Sequence, residues 1–511
     1  MATENLPFAL LGMPVDNLSL SETVEKIEQL IEIYHKDLSP RYVATLNVDF
    51  VANVHNCFSS SSRQPELLNI LQHASISTLD GMPLLWLARL LGTKVKERVT
   101  GVDLIPALAE ALSKKKQSFF LLGGDERTLK LFMLYLENDY PGLRIVGTSH
   151  PFIPIEGEDL ETSEERDKLL VEQINKAAPD VILLNLGNPK QEIWFERVRP
   201  YLHVPIAIGV GGSFNILTGR IPRAPNWMQH SGLEWFYRLL HEPKRLFKRY
   251  LVDLIKFPLM TLPLIVYHSI CRLTYWLFYW TKGLKLRTPL LFISAHQTIA
   301  VVPLPKRLGE LACREIWQEA DELIGQDHVV LDFKDVRQID LEGIALLIRL
   351  WQKAEHEKKQ IFALNITADM RLLLKLHRIW DLIKNQVVES PKAILDRLVL
   401  KDNSAGLYHA IQQEGNLVII SFFGRLDNNQ TFDAYLNQIG PSIQQKKCIV
   451  DLSYCTYIDN TGLGFLLQLN RYAEEHYMRL SLVGLAPPLK RQLRQAKIDR
   501  LFTIKPRLEL P

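Results

Sequence analysis

Small polar residues and glycines stand where the apolar runs of the first 240 residues stop. Thr45 and Asn47 close one run, Asp80-Gly81 another, and Gly123-Gly124 a third; Gly187-Asn188-Pro189 and Gly209-Val210-Gly211-Gly212 close two more. Glycines let a backbone approach a ligand closely, and free amides bind phosphate. Several such groups at strand ends point to a ligand site. The Gly209, Gly211, Gly212 spacing is not the G-x-G-x-x-G of a dinucleotide site, so NAD is weakly supported. The five cysteines form no C-x-x-C pair, which reads as reduced thiols in a cytosolic protein.

The runs that carry these groups are Tyr42–Asn47, Ser75–Asp80, Ser118–Leu122, Leu143–Gly147, Val181–Leu186 and Pro205–Val210. Several are nearly continuously apolar, as strands buried on both faces of a parallel sheet are. Between them, stretches such as Ser21–Tyr34 and Leu84–Leu91 have helical periodicity. Repeated βα units predict a doubly wound, Rossmann-like α/β domain whose ligand lies beyond the carboxyl ends of its strands. A length of 511 residues predicts about three domains. Sixty Lys and Arg against 57 Asp and Glu leave a formal charge of +3. No global basic field calls for nucleic acid, and 47% hydrophobic with 23% charged residues exclude a largely disordered chain. The opening MATENLPFALLGMPVDN lacks the basic and apolar regions of a secretory signal.

The character changes after residue 238. Arg238 to Lys256 holds six basic residues against Glu242 and Asp253, and Phe257 to Thr281 then holds only Arg272 as a charge. Tyr267, Tyr275, Trp276, Phe278, Tyr279 and Trp280 make that segment aromatic. Its longest uncharged stretch, Phe257–Cys271, is 15 residues, short of the roughly 20 of a spanning helix. Pro258 and Pro263 should bend it, and Lys282, Lys285 and Arg287 follow. A segment lying in the membrane interface, or a re-entrant hairpin, fits better than a span.

From about residue 290 the chain repeats itself. Asp332 and Asp451, Asp340 and Asp459, and Gly343 and Gly462 are each separated by 119 positions, and Ile379 and Leu382 fall on Ile498 and Leu501. The second half therefore reads as two copies of a small α/β module. Each has an Asp-x-x-Gly turn before an amphipathic helix.

Taken together, Thr45-Leu46-Asn47, Asp80-Gly81, Arg98-Val99-Thr100-Gly101-Val102-Asp103, Gly123-Gly124, Gly187-Asn188-Pro189-Lys190-Gln191-Glu192-x-Trp194, Gly209-Val210-Gly211-Gly212-Ser213-Phe214 and Arg223-Ala224-Pro225, through Gly232-Leu233-Glu234-Trp235-x-Tyr237-Arg238 to Glu242-Pro243-x-Arg245, resemble the WecG/TagA/CpsF family of bacterial glycosyltransferases. The resemblance covers about residues 7–250. It implies inverting transfer of an N-acetylmannosamine-type sugar from a UDP-sugar to a polyprenyl-diphosphate-linked sugar in cell-surface polysaccharide synthesis, with no metal and no cofactor. It places Asp80 as the base that takes the acceptor proton. Arg98, Arg238, Arg245 and Lys248 fall at positions for the diphosphates and lipid. Thr45, Asn47, Gly123, Gly124, Gln191, Gly211 and Gly212 fall at substrate contacts. Three departures, Pro83, Asn215 and Leu46, bear on donor or acceptor identity, and Pro83 is expected to stiffen the loop beside Asp80.

The second copy resembles the STAS module of anti-sigma-factor antagonists and sulfate transporters through Ile449-Val450-Asp451-Leu452, Tyr457-Ile458-Asp459-Asn460-Thr461-Gly462-Leu463-Gly464 and Leu482-Val483-Gly484. That family carries a phosphorylatable hydroxyl inside the turn, and Thr461 is the hydroxyl here. The first copy has Leu341-Glu342 instead, a fixed carboxylate. The expected layout is a transferase domain over 1–250, an apolar membrane-associating segment over 251–288, a degenerate STAS-like domain over 289–400 and a second over 405–508. The expected setting is the cytoplasmic face of the inner membrane. The expected partners are a UDP-sugar, a lipid-linked acceptor, the membrane surface, and a protein partner or kinase at the tail, without nucleic acid. An inactive transferase-like scaffold for STAS signalling is the alternative.

Overall fold

The computed structural model describes residues 6–57, 62–153, 159–279, 290–294, 298–326, 328–388, 408–414, 417–426, 447–476 and 480–505. Trp280, Lys282, Lys285 and Arg287 lie outside them. The chain forms two units: residues 1–280 with Ile339–Ile348 and Leu372–Asp381, and the remainder.

The first unit opens with a hairpin, β1 (Phe8–Leu10) and β2 (Met13–Val15), which the sequence reading did not anticipate. It continues with α1 (Leu20–Asp37), β3 (Arg41–Leu46), α2 (Val48–Val54), α3 (Pro65–Gln72), β4 (Ile76–Leu79), α4 (Met82–Leu91) and α5 (Gly101–Lys114). Next come β5 (Ser118–Leu122), α6 (Glu126–Asp139), β6 (Arg144–Ser149), α7 (Asp159–Ala177), β7 (Val181–Leu184), α8 (Lys190–Val198) and β8 (Ile206–Gly209). Four helices end it: α9 (Ser213–Leu217), α10 (Asn226–Ser231), α11 (Glu234–His241) and α12 (Pro243–Tyr279).

Strands β3 to β8 form one six-stranded sheet in the order β4-β3-β8-β7-β5-β6, and every pairing in it is parallel. These are the six runs read from the sequence. Alternate side chains of each strand enter opposite cores. In β5, Phe120 and Leu122 join one apolar cluster, and Phe119 and Leu121 the other. All four are wholly buried, which is why β5 reads as an unbroken apolar run; each such side chain contributes about 1.5–3 kcal/mol. The chain leaves β3 toward β4 on one side and enters β8 from β7 on the other. The crevice beyond this pair is where a doubly wound sheet holds its ligand.

Helix α12 runs unbroken from Pro243 to Tyr279 with Pro258 and Pro263 inside it, so Phe257–Tyr279 forms no hairpin. The boundary drawn at residue 250 falls within this helix. One side is packed, with Leu246, Met260, Leu264 and His268 buried. The other carries Leu251, Leu254, Ile255, Leu259, Leu262 and Val266, all exposed. Leu246–Cys271 is long and apolar enough to cross a membrane by length and composition.

The second unit holds a ten-stranded sheet in two halves. One half has β9 (Leu290–Ser294), β10 (Thr298–Pro303), β12 (His328–Asp332), β14 (Ile361–Leu364) and β15 (Val387–Val388); β11 (Arg307–Leu308) and β13 (Gln338–Ile339) pair separately. The other half has β16 (Tyr408–Glu414), β17 (Leu417–Leu426), β18 (Lys447–Ile458), β19 (Leu480–Val483) and β20 (Thr503–Lys505). The halves meet where β9 and β16 pair antiparallel. Each half is a hairpin followed by parallel strands. Helix α13 (Glu310–Gln326) precedes β12. The helices α14 (Leu341–His356), α15 (Ala368–Leu376) and α16 (Trp380–Ile383) follow in the chain, then α17 (Asn460–Glu475) and α18 (Pro487–Gln495). The ranges of α14 and α15 recur in α17 and α18 at the 119-residue offset read from the sequence.

Candidate active site at the strand ends

Beyond β3, β4 and β8 lies a cavity of about 650 Å³. Its polar end is bordered by Thr45, Asn47, Asp80, Arg98, Gln191, Gly211, Gly212 and Arg238. Its other end is apolar, bordered by Trp86, Leu90, Leu251, Leu254, Phe257 and Ile265 from α4 and α12.

Local chemistry fixes each polar group. Asp80 follows β4, and its amide donates to the Leu46 carbonyl at 2.8 Å. Arg98 sits on a segment pinned to β4: the Val99 amide donates to Leu79 O at 3.0 Å, and Thr78 Oγ1 to Val99 O at 3.0 Å. Thr100 then caps α5. Gly101 packs closely there: a Cβ would meet Ser213 Oγ at 2.8 Å and displace it. Asn47 caps α2 through its Oδ1, and Thr45 Oγ1 donates to Gly209 O at 2.9 Å. Gly211 has φ +53° with open space at its missing Cβ, so its backbone faces the cavity in a conformation other residues rarely adopt.

Asp80 is the electrostatic centre. Burial pushes its carboxyl up to about 7; Arg98 and Arg238 pull it down, while Glu234 and Asp103 push it up. Arg98 is held by Glu234, with Nη1 at 3.2 Å from Oε2. Arg238 Nε is buried with no hydrogen-bond partner among the described residues. A carboxyl that changes charge near neutrality beside two guanidiniums can take a proton next to an anion.

The sequence expectations divide. Thr45, Asn47, Asp80, Arg98, Gln191, Gly211, Gly212 and Arg238 come together at this cavity. Gly123 and Gly124 do not border it; they follow β5 and pack against Asn185, whose carbonyl a Cβ on Gly123 would meet at 2.7 Å. Lys248 is exposed on α12, and the side chain of Arg245 lies outside the described residues. Pro83 does not stiffen a loop: it lies in the first turn of α4, where proline's missing N–H costs nothing. Asn215 Oδ1 accepts from Thr128 Oγ1 at 3.0 Å.

Three residues went unflagged as site elements. Glu234 pairs Arg98. Tyr42 and Glu192 are buried beneath Gln191, where Glu192 Oε1 accepts from Tyr42 Oη and Gln191 Nε2, both at 2.7 Å. A signal existed for Glu192. It shares a helix face with the buried Phe195, a poor place for a carboxylate without partners.

The fold and the cavity define a parallel-sheet α/β protein with a carboxylate and two arginines beyond its strand ends. Residues 8–266 match the glycosyl transferase WecG/TagA/CpsF family, and the chain belongs to it. Residues 409–504 match the Mlab, STAS domain family. Over 181 residues the chain is 31% identical to an N-acetylglucosaminyldiphosphoundecaprenol N-acetyl-beta-D-mannosaminyltransferase of Bacillus subtilis, covering 35% of this chain and 66% of that one, just under two thirds of its length. A Staphylococcus aureus protein of the same name is 25% identical over 239 residues, covering 46% and 85%. Among solved structures, the unphosphorylated anti-sigma factor antagonist SpoIIAA is similar at 19% identity and a TM-score of 0.17, covering 19% of this chain and 88% of that one.

Proposed function

We propose that this chain transfers an N-acetylmannosamine-type sugar, with inversion, from a UDP-sugar to a polyprenyl-diphosphate-linked N-acetylglucosamine. The observation that carries the reading is Asp80, with a carboxyl near 7 and Arg98 and Arg238 acting on it. The acceptor hydroxyl attacks the anomeric carbon and gives its proton to Asp80. The bond from that carbon to the UDP oxygen breaks, and UDP leaves with the electron pair. A base works best when its pKa lies near the working pH. Arg98 and Arg238 neutralise diphosphate charge, and the unpartnered Nε of Arg238 is a donor ready for such an anion. The apolar end of the cavity takes the first part of the lipid chain.

The exposed apolar stripe of α12 rests on the inner membrane's cytoplasmic face, and exposed Lys244 and Lys248 meet anionic headgroups. The two halves of the ten-stranded sheet are two STAS modules, a reading supported by their shared element spacing. They dock a protein partner, and Thr461 is the switchable group. It is exposed in the first turn of α17, whose cap is Asp459.

Incubating the purified chain with UDP-N-acetylmannosamine and a lipid-diphosphate-linked N-acetylglucosamine tests the activity. Sugar appears on the lipid if the reading is right. No turnover favours the scaffold alternative.

A further inference from the structure

We propose that Glu192 is a positioning residue for the nucleotide end of the cavity, holding the Gln191 carboxamide, and through it the Gly211–Gly212 turn, in one orientation. This rests on reading the cavity as the nucleotide-sugar site.

Glu192 is wholly buried in α8, and the transfer chemistry does not use it. Its Oε1 receives the Tyr42 hydroxyl and the Gln191 amide nitrogen, and its Oε2 receives Asn188 Nδ2 at 3.4 Å. An ionised carboxylate is acceptor-only, so it fixes which end of the Gln191 amide points inward. The other end, Gln191 Oε1, then faces the Gly211 amide at 3.3 Å. With the amide turned over, two N–H groups would face each other and the turn would lose that bond. Trp194, wholly buried and donating to Asp167 Oδ1 at 3.0 Å, anchors α8, and the Phe195 ring packs on Tyr42 with centroids 5.0 Å apart. The frame is rigid, and the carboxylate sets the polarity inside it.

Protonation at Oε1 would remove the acceptor that orients the Gln191 amide. Burial pushes the Glu192 carboxyl up to about 7, with Tyr42, Gln191 and Asn188 pulling it down. Those three are the polar side chains facing it, from β3, α8 and the segment before α8. A new O–H at Oε2 would point at Asn188 Nδ2, while Asn188 Oδ1 is already taken by Asn53. At Oε1 it would meet two donors. On Oε2 the Asn188 amide loses its acceptor; on Oε1 the Tyr42 hydroxyl or the Gln191 amide loses its own.

The test is UDP affinity by calorimetry from pH 5.5 to 8.5 on the full chain, wild type against Glu192→Gln, with Tm recorded. Gln carries N–H where the protonated acid carries O–H, so it stands in for the low-pH form. The ratio of the two dissociation constants cancels the titration of UDP itself. It should rise from about one at pH 5.5 to about ten at pH 8.5, the worth of a fixed hydrogen bond. A ratio flat with pH overturns the proposal, whether it stays at one or sits above one with a fallen Tm. Tyr42→Phe is the second variant. It removes a donor that lowers the Glu192 pKa, so the midpoint of the pH dependence should move up; an unmoved midpoint overturns the proposal. UDP binding with this pattern but no sugar transfer overturns the transferase reading and leaves this one standing. Transfer with a flat ratio does the reverse, and absence of UDP binding overturns both.

Discussion

Arg98 and Glu234 form an ion pair of 3.2 Å at the wall of the Asp80 cavity. Both side chains are largely withdrawn from solvent, at 15% and 16% exposure. Glu234 therefore acts twice: it holds the guanidinium beside Asp80, and its charge raises the Asp80 carboxyl.

Glu234→Gln should lower the Asp80 pKa, because Arg98 and Arg238 then act on it with less opposition. The acid limb of the kcat/KM profile should move to lower pH by on the order of half a unit. An unmoved acid limb in a pH–rate series would show that Asp80 does not set it.

Asp80 should also mark the stability of the first unit. Its folded pKa of about 7 lies above the ordinary carboxylate value of 3.8. Between these pH values the folded state holds a proton that the unfolded state has lost, so stability falls as pH rises through the window. Asp80→Asn removes that loss. The variant's stability advantage over wild type should grow from pH 4 to pH 7 and then level off, by about 4 kcal/mol in unfolding free energy. A difference independent of pH would contradict a raised Asp80.

Replacing Ile255, Leu259, Leu262 and Val266 with Ser should cut flotation on anionic liposomes by tenfold or more, while UDP affinity stays within about twofold. These four are exposed and do not border the cavity. Deleting residues 251–284 would be a poorer test, because Met260 and Leu264 are part of the apolar core.

The sheet was legible because strands buried on both faces cannot avoid apolar runs. The residues at their ends were legible because they stand where the apolar runs stop, and Thr45, Asn47, Asp80, Gly211 and Gly212 border one cavity. Long-range partnerships were not. Nothing in sequence spacing pairs Arg98 with Glu234, 136 positions away, or Tyr42 with Glu192, 150 away. Gly123 and Gly124 pack against Asn185, and close packing asks for the same residue as close approach to a ligand. Pro258 and Pro263 lie inside α12 without ending it, and Met260 and Leu264 beside them are buried.

Thr461→Asp should weaken capture of a partner more than Thr461→Ala, since a charge is added on the exposed first turn of α17 and the Asp459 cap is left intact. Glu342 differs. It accepts from Thr93 Oγ1 at 2.9 Å within the first unit, so Glu342→Gln should leave phosphorylation at Thr461 unchanged. Pull-downs with the Thr461 variants decide the first point; equal recovery by wild type, Ala and Asp forms would remove the switch.

The most direct test of the central claim is Asp80→Asn assayed for sugar transfer to a lipid-diphosphate acceptor, alongside UDP affinity on the same protein. Loss of the base should lower kcat by about 10²–10⁴ and leave UDP affinity within a few-fold. Turnover near that of the wild type would contradict Asp80 as the group that takes the acceptor proton.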